Sequence, residues 1–255
     1  MPDEKGKVSR SDNICIEHIK ASWDILMPLW LDLYNKCLET KTIPRKWRTS
    51  IIKILYKGKG ERSNPNSYRG VALKSNPFKI YAKYLTMKLQ EETKLVIPEC
   101  QFGFRKGRNT IQAAKCLIDQ IKDALNKPHG KYYAVFINYS KAFDLIDRKN
   151  LMQKIEAAIG ENQPLYPILK DILSCNYIQI DDGVTTSNII RQTNGVLQGD
   201  PISPLLFNIA TADITQITEN ASETTLITWH WGAPREKTCR PRYKDSRGGP
   251  KKTAS

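Results

Sequence analysis

From Tyr132 to Asp147 the chain reads YYAVFINYSKAFDLID, an apolar run that passes directly into a polar turn and closes on two carboxylates. Val135, Phe136 and Ile137 are β-branched or aromatic, which predicts a buried strand. Chemistry would then sit at the carboxyl end of that strand, from Asn138 and Tyr139 into Ser140, Lys141, Ala142, Phe143 and Asp144. Asp147 reads as the cap of a following helix that carries Leu151, Ile155 and Ile159 on one face and stops at Gly160.

The chain has 255 residues, 40% of them hydrophobic, enough for one large domain or two small ones with a real core. A formal net charge of +14 favours a polyanionic partner, because lysines and arginines bound to phosphates release condensed counterions. A membrane surface is also anionic. No stretch approaches the roughly 18 uninterrupted apolar residues of a spanning helix, and the start, MPDEKGKVSR, has no apolar segment for secretion. The expectation is an intracellular protein of nucleus or cytoplasm with no membrane partner. Six cysteines are scattered without a C-x-x-C pair and only three histidines accompany them, so neither a zinc module nor a disulfide framework is supported.

Along the chain, Ile16, Ile19, Trp23, Leu26, Trp30, Leu33, Tyr34, Cys37 and Leu38 keep helical spacing, and Pro28 predicts a break into two short helices. Ile51 to Tyr56 reads as a strand entering the basic turn Lys57-Gly58-Lys59-Gly60. A helix follows with Ile80, Tyr84, Met87 and Leu89 on one face, and Lys79, Lys83 and Lys88 on a face that solvation alone would explain. In QFGFRKGRNT, from Gln101 to Thr110, three cations surround two glycines and two aromatic residues; by itself this is an ordinary basic surface loop. Thr110 opens a helix through Asn126 with Ile111, Ala114, Leu117, Ile118, Ile121 and Leu125 on one face. Tyr177 to Asp181 and Asn188 to Gln192 read as strands joined through the Asp182-Gly183 turn. In GVLQGDPISPLLFNI, from Gly195 to Ile209, a Gly and Pro turn opens an apolar helix with Ser203 as cap and Pro204 at its first position.

Taken together, these strings resemble the reverse transcriptases of non-LTR retrotransposons. NYSKAFD stands where that family has roughly F-x-D-F-S-K-A-F-D, SYRGVALK where it has N-Y-R-P-I-S-L-L, QFGFRKGRNT where it has Q-F-G-F-R-x-G-R-S-T, and GVLQGDPISPLLF matches its next box closely. The resemblance spans about residues 10 to 228, with the boxes in consistent order. It implies an α+β fold, the fingers and partial palm of a right-hand polymerase, lacking the last palm hairpin and thumb. By that match residues 13–131 are a fingers-like region and residues 132–228 a partial palm, with residues 1–12 a disordered edge. It also implies an RNA template, a nucleic-acid primer and a deoxynucleoside triphosphate as partners, and Mg²⁺ as cofactor. Lys57, Arg69, Phe143, Gln198 and Gly199 would face the nucleotide, with Phe143 under the sugar, and Arg105, Lys106 and Arg108 would lie along nucleic acid. The metal would be held at position 138 and by the backbone carbonyl of Tyr139. Position 138 is Asn where the family has its first metal-binding Asp, and Leu197 replaces the Arg that often precedes the box's Gln. The family's Tyr-Ala-Asp-Asp hairpin is absent from the chain.

Residues 229–255 lack any helical or strand period and carry eight Lys and Arg against two acidic residues, so +6 of the +14 lies there. This predicts a disordered tail, and its codons suggest an origin. Read from the third base of each codon, Trp229-His230-Trp231 followed by Gly232 forces Ala-Leu-Gly preceded by Met, Leu or Val, similar to the family's M-A-L-G after the aspartates. The tail then reads as a frameshift product. Three expectations result: an RNA-directed DNA polymerase domain that Asn138 and the missing hairpin leave inactive, a non-catalytic module that holds RNA or a primer duplex, or a decayed reading frame without a role.

Overall fold

The computed structural model describes Asp12, residues 14–214 and Ile227; the expectations for residues 1–11 and for the 229–255 tail lie outside the described residues. Helix α1, Ile16–Ala21, leads into α2, Trp23–Thr40, and the break between them falls at Ser22. Pro28 lies inside α2, contrary to expectation. It is the sixth residue of the helix, so its ring removes the N–H that would meet the Asp24 carbonyl, and the helix continues without that one bond.

Strand β1, Thr49–Tyr56, pairs antiparallel with β2, Tyr68–Leu73, and parallel with β3, Asn176–Asp181; β3 in turn pairs antiparallel with β4, Ile190–Gln192. The result is a four-stranded mixed sheet in the order β2-β1-β3-β4, with two strands drawn from each side of residue 131. The long crossover between β1 and β3 carries β2, α3 (Asn76–Glu92), α4 (Thr110–Leu125), α5 (Arg148–Ile159) and α6 (Leu165–Ser174), and α7 (Ser203–Ala210) follows the sheet. The turn after β3 forms as read: Asp182 accepts from the backbone N–H groups of Val184 and Thr185 at 2.8 and 2.7 Å.

The core lies among α3, α5, α6 and α7. Phe78, Leu85, Leu89, Leu151, Ile155, Ile168, Leu169 and Leu206 are fully or almost fully buried in one cluster. Tyr34 of α2 stacks on Tyr81 at 5.3 Å between ring centroids, and Trp47 meets Phe78 edge-on at 6.0 Å. The buried face of α3 is therefore Phe78, Tyr81, Ala82, Leu85 and Leu89, while the predicted Tyr84 and Met87 are exposed. Asp147 does cap α5, accepting from Lys149 N–H at 2.9 Å, and Gly160 ends it at φ +82.

The predicted strand at Val135 to Ile137 is not found. Residues 131–139 form no helix or strand and pair with no described strand, and Val135 and Ile137 are 83% and 70% exposed. A strand needs a neighbour for its backbone groups, and none of the four described strands lies beside this one. The apolar stripe of α4 is likewise mostly open, with Ile111, Ile118 and Leu125 exposed, and the helix buries Ala113, which lies off that stripe.

Two buried cations tie the layers. Arg148 opens α5 and is 7% exposed; its Nε donates to the Gly195 carbonyl at 2.7 Å, and its Nη1 to the carbonyls of Leu173 at 2.5 Å and Gln192 at 2.9 Å. Burial pushes its pKa down to about 10, which still leaves it charged at neutral pH. Lys74, just after β2, lies 3.4 Å from the Asp200 carboxylate and 4.1 Å above the Phe78 ring, fully enclosed. Burial lowers its amine and Asp200 opposes that shift. Arg148→Ala removes the donor shared by three carbonyls and is expected to destabilise the chain by about 3 to 5 kcal/mol. Urea denaturation measures this, and a loss below about 1 kcal/mol contradicts the assigned role.

Candidate nucleotide and nucleic-acid site

The sheet edge and the loop before α7 form one wall. The N–H of Ala72 in β2 donates to the Gln198 carbonyl at 2.7 Å. Gly199 follows at φ +108, and a Cβ there would stand 2.8 Å from the Ala72 carbonyl oxygen and 3.4 Å from a Val71 methyl, so only glycine lets the loop lie this close. Arg69 shares a strand face with Val71, because side chains alternate along a strand. The Gln198-Gly199 loop runs along the edge of β2 at Val71 and Ala72, two to three residues along the strand from Arg69. Lys57 lies past the other end of the hairpin, its N–H bonded to the Ser67 carbonyl at 2.8 Å and its Nζ to the Asn66 carbonyl at 2.9 Å. Leu197, where the resembling family often has Arg, is buried.

Asp200 anchors the loop from below through Lys74, and its carbonyl accepts from Ser203 N–H at 3.2 Å. The helix cap expected at Ser203 is therefore displaced: Ile202 is the cap residue and Ser203 is already buried in the first turn. The Gly-Asp-Pro turn, held by a buried ion pair, does the capping that a hydroxyl was expected to do.

Phe143 joins the remaining strings. Its ring stacks on Phe207 of α7 at 5.2 Å and meets Phe104 of the cationic loop edge-on at 6.0 Å, while its carbonyl accepts from Val196 N–H at 2.8 Å. The loop is clipped to α7 a second time, where Gln101 donates to the Asn208 side chain at 3.0 Å and Asn208 donates to the Gly103 carbonyl at 3.0 Å. The polar turn, the cationic loop and the Gly-Asp-Pro box thus meet at one aromatic residue.

In the cationic loop Arg105 and Arg108 both close on Glu99. Arg105 Nη2 reaches Glu99 Oε1 at 3.1 Å and Arg108 Nη2 pairs with Glu99 Oε2, while Lys106 stays exposed. The two guanidiniums hold the Glu99 carboxyl below the usual carboxylate range.

Asn138 and Tyr139 lie on the exposed irregular stretch that leads into the turn at Lys141, itself at φ +51. Asn138 presents a neutral amide. Among the described residues no group of three His, Cys, Asp or Glu is placed to hold a metal ion. Of the residues singled out from the sequence, the structure brings Gln198 and Gly199 against β2, joins Phe143 to Phe104 and Phe207, and pairs Arg105 and Arg108 with Glu99; Lys74, Glu99, Arg148 and Asn208, which hold these parts, were not singled out. These four act through partners distant in sequence or through unpatterned neighbours, so no local string announced them.

The family model described as reverse transcriptase (RNA-dependent DNA polymerase) matches residues 55–230. The chain is 31% identical, over 211 residues, to a probable RNA-directed DNA polymerase from transposon BS of Drosophila melanogaster, covering 80% of this chain and 22% of that protein. It is 26% identical to the RNA-directed DNA polymerase from mobile element jockey of the same organism, covering 76% of this chain and 22% of that protein. It is 27% identical to a Pol polyprotein from type-1 retrotransposable element R1 of Bradysia coprophila, covering 58% and 14%. The chain spans about a fifth of the length of the first of these relatives. With two-thirds of its length inside the family model and its boxes in the family's order, the chain belongs to the reverse transcriptases, on the non-LTR retrotransposon side that those boxes resemble.

Proposed function

We propose that this chain is a reverse transcriptase domain, comprising fingers (residues 13–131) and partial palm (residues 132–228), that holds nucleic acid and does not polymerise. The observation that carries the reading is Asn138. Polymerisation in this family joins a primer hydroxyl to an α-phosphate with Mg²⁺ stabilising the attacking and leaving oxygens. Mg²⁺ takes hard anionic oxygens, and Asn138 offers a neutral carbonyl in place of a carboxylate. The Tyr-Ala-Asp-Asp string that would bring further carboxylates is absent from the sequence. The donors present, Asn138 and the Tyr139 carbonyl, do not fit the ion, and no catalytic step is assigned to them.

The binding half of the reading rests on the wall and the loop. Arg69 suits the triphosphate, since its planar fork makes paired hydrogen bonds to phosphate oxygens, with Lys57 near the hairpin end and Gln198 and Gly199 beside the base and sugar. Phe143 is the bulky residue under the sugar. Arg105, Lys106 and Arg108 lie along template or primer duplex. No described helix is long and apolar enough to cross a membrane, and an intracellular setting in nucleus or cytoplasm goes with these partners. The tail fits a frameshift at the catalytic hairpin; the gene sequence through codons 215 to 255 tests this, and a shifted phase that does not read as polymerase sequence contradicts it.

Two outcomes follow. Binding of an RNA–DNA hybrid by the chain ended near Ile227 falls steeply with salt, with a log–log slope of about −2 or steeper if three arginines meet phosphates. A salt titration reads the slope, and loss of all binding on removing the tail assigns the affinity to the tail alone. Primer extension with Mg²⁺ or Mn²⁺ gives no product from the chain, and none from Asn138→Asp, because one restored carboxylate leaves the second group of ligands missing. Robust extension by the unaltered chain contradicts the reading.

A further inference from the structure

The cations proposed to meet nucleic acid are not free in the structure. Glu99 bridges Arg105 and Arg108 with one carboxylate oxygen each, so the anion seat between the two guanidiniums is already filled by the chain itself. The three groups differ sharply in how they are held. The Glu99 side chain is 77% exposed, whereas those of Arg105 and Arg108 are 16% and 30% exposed. Glu99 is thus the solvent-facing member, and any anion approaching the arginines meets it first.

The sign of its effect depends on whether the carboxylate is needed to keep the arginines in place. Other contacts already do so. Arg105 Nη1 donates to the Pro98 carbonyl at 2.8 Å, Arg108 Nη1 donates to the Glu99 backbone carbonyl at 3.2 Å, and the Arg108 guanidinium lies 5.1 Å from the centroid of the Phe102 ring. Both guanidiniums are oriented by backbone acceptors and an aromatic face that survive loss of the Glu99 charge. A carboxylate whose geometry is dispensable and whose charge neutralises the seat is a competitor for that seat, because exposed ion pairs are weak and a phosphodiester offers the same paired oxygens.

We propose that Glu99 is an intramolecular competitor that occupies the Arg105–Arg108 seat until a phosphodiester of nucleic acid displaces it, setting the affinity of this loop. The inference rests on the reading that Arg105 and Arg108 face nucleic acid.

The test uses the full chain and a site-specific readout, because the basic tail binds polyanions on its own account. Arginine modification by phenylglyoxal at Arg105 and Arg108 is followed by peptide mass spectrometry as a short RNA–DNA hybrid is titrated in at low salt. The hybrid protects both arginines, and in Glu99→Gln half-protection comes at about fivefold lower hybrid concentration, the loss of one exposed charge pair. Melting of Glu99→Gln alongside the parent shows that the fold is kept. Protection at the same or higher hybrid concentration in Glu99→Gln makes Glu99 a bystander or an organiser and overturns the inference while leaving the loop a nucleic-acid contact. Absence of protection in both proteins overturns the inference together with the reading of the loop on which it rests.

Discussion

Arg148 joins three parts of the chain that lie far apart in sequence. Its guanidinium reaches the carbonyls of Leu173 at the end of α6, Gln192 at the end of β4, and Gly195 at the start of the Gly-Asp-Pro box. Carbonyls at such element ends are left without partners by the helix and the ladder, and burying them unpaired is costly. One cation at the first position of α5 answers three of them. The chain around it is correspondingly tight: Gly195, at φ +73, packs so close to Asp144 that a Cβ would fall 2.5 Å from the Asp144 carbonyl oxygen. The polar turn before α5 and the loop before α7 are therefore fixed to each other, and the loop in turn fixes Gln198 against β2.

The wall that results does not depend on the residue at position 138. Ala72, Gln198, Gly199 and the buried Lys74–Asp200 pair are held by contacts that do not involve Asn138. A buried ion pair of this kind loses heavily if one partner is removed, since the other is left charged in a low-dielectric setting. The packing around the loop before α7 therefore stands independently of the residue at position 138.

Much of the fold was legible because its cues are local. The β-branched run of β1, the Asp182-Gly183 turn after β3, the Asp147 cap and the Gly160 stop each declare themselves within a few residues, and each appears where expected. Strand β2 was not read, because SYRGVAL carries Arg and Gly and becomes a strand only through its pairing with β1. Val135 to Ile137 failed in the opposite way: the residues are strand-like, and none of the described strands pairs with them. On α3 the period was right and Leu89 is buried as read, but Tyr84 and Met87 are apolar enough to mimic a core stripe that Tyr81 and Leu85 form instead. The site showed the same division. Its motif residues stood out as strings, whereas Lys74 and Glu99 resembled any surface charge until Asp200 and the two arginines were seen around them.

The central claim is that a reverse transcriptase framework persists here without the anionic oxygens its metal chemistry requires. Titration of the full chain with Mn²⁺ in the presence of a deoxynucleoside triphosphate, followed by electron paramagnetic resonance, tests it most directly. The account predicts the spectrum of the Mn²⁺–nucleotide complex unchanged by the protein's side chains at position 138, identical in the parent and in Asn138→Ala. Stoichiometric Mn²⁺ held by the protein and lost in Asn138→Ala would contradict it.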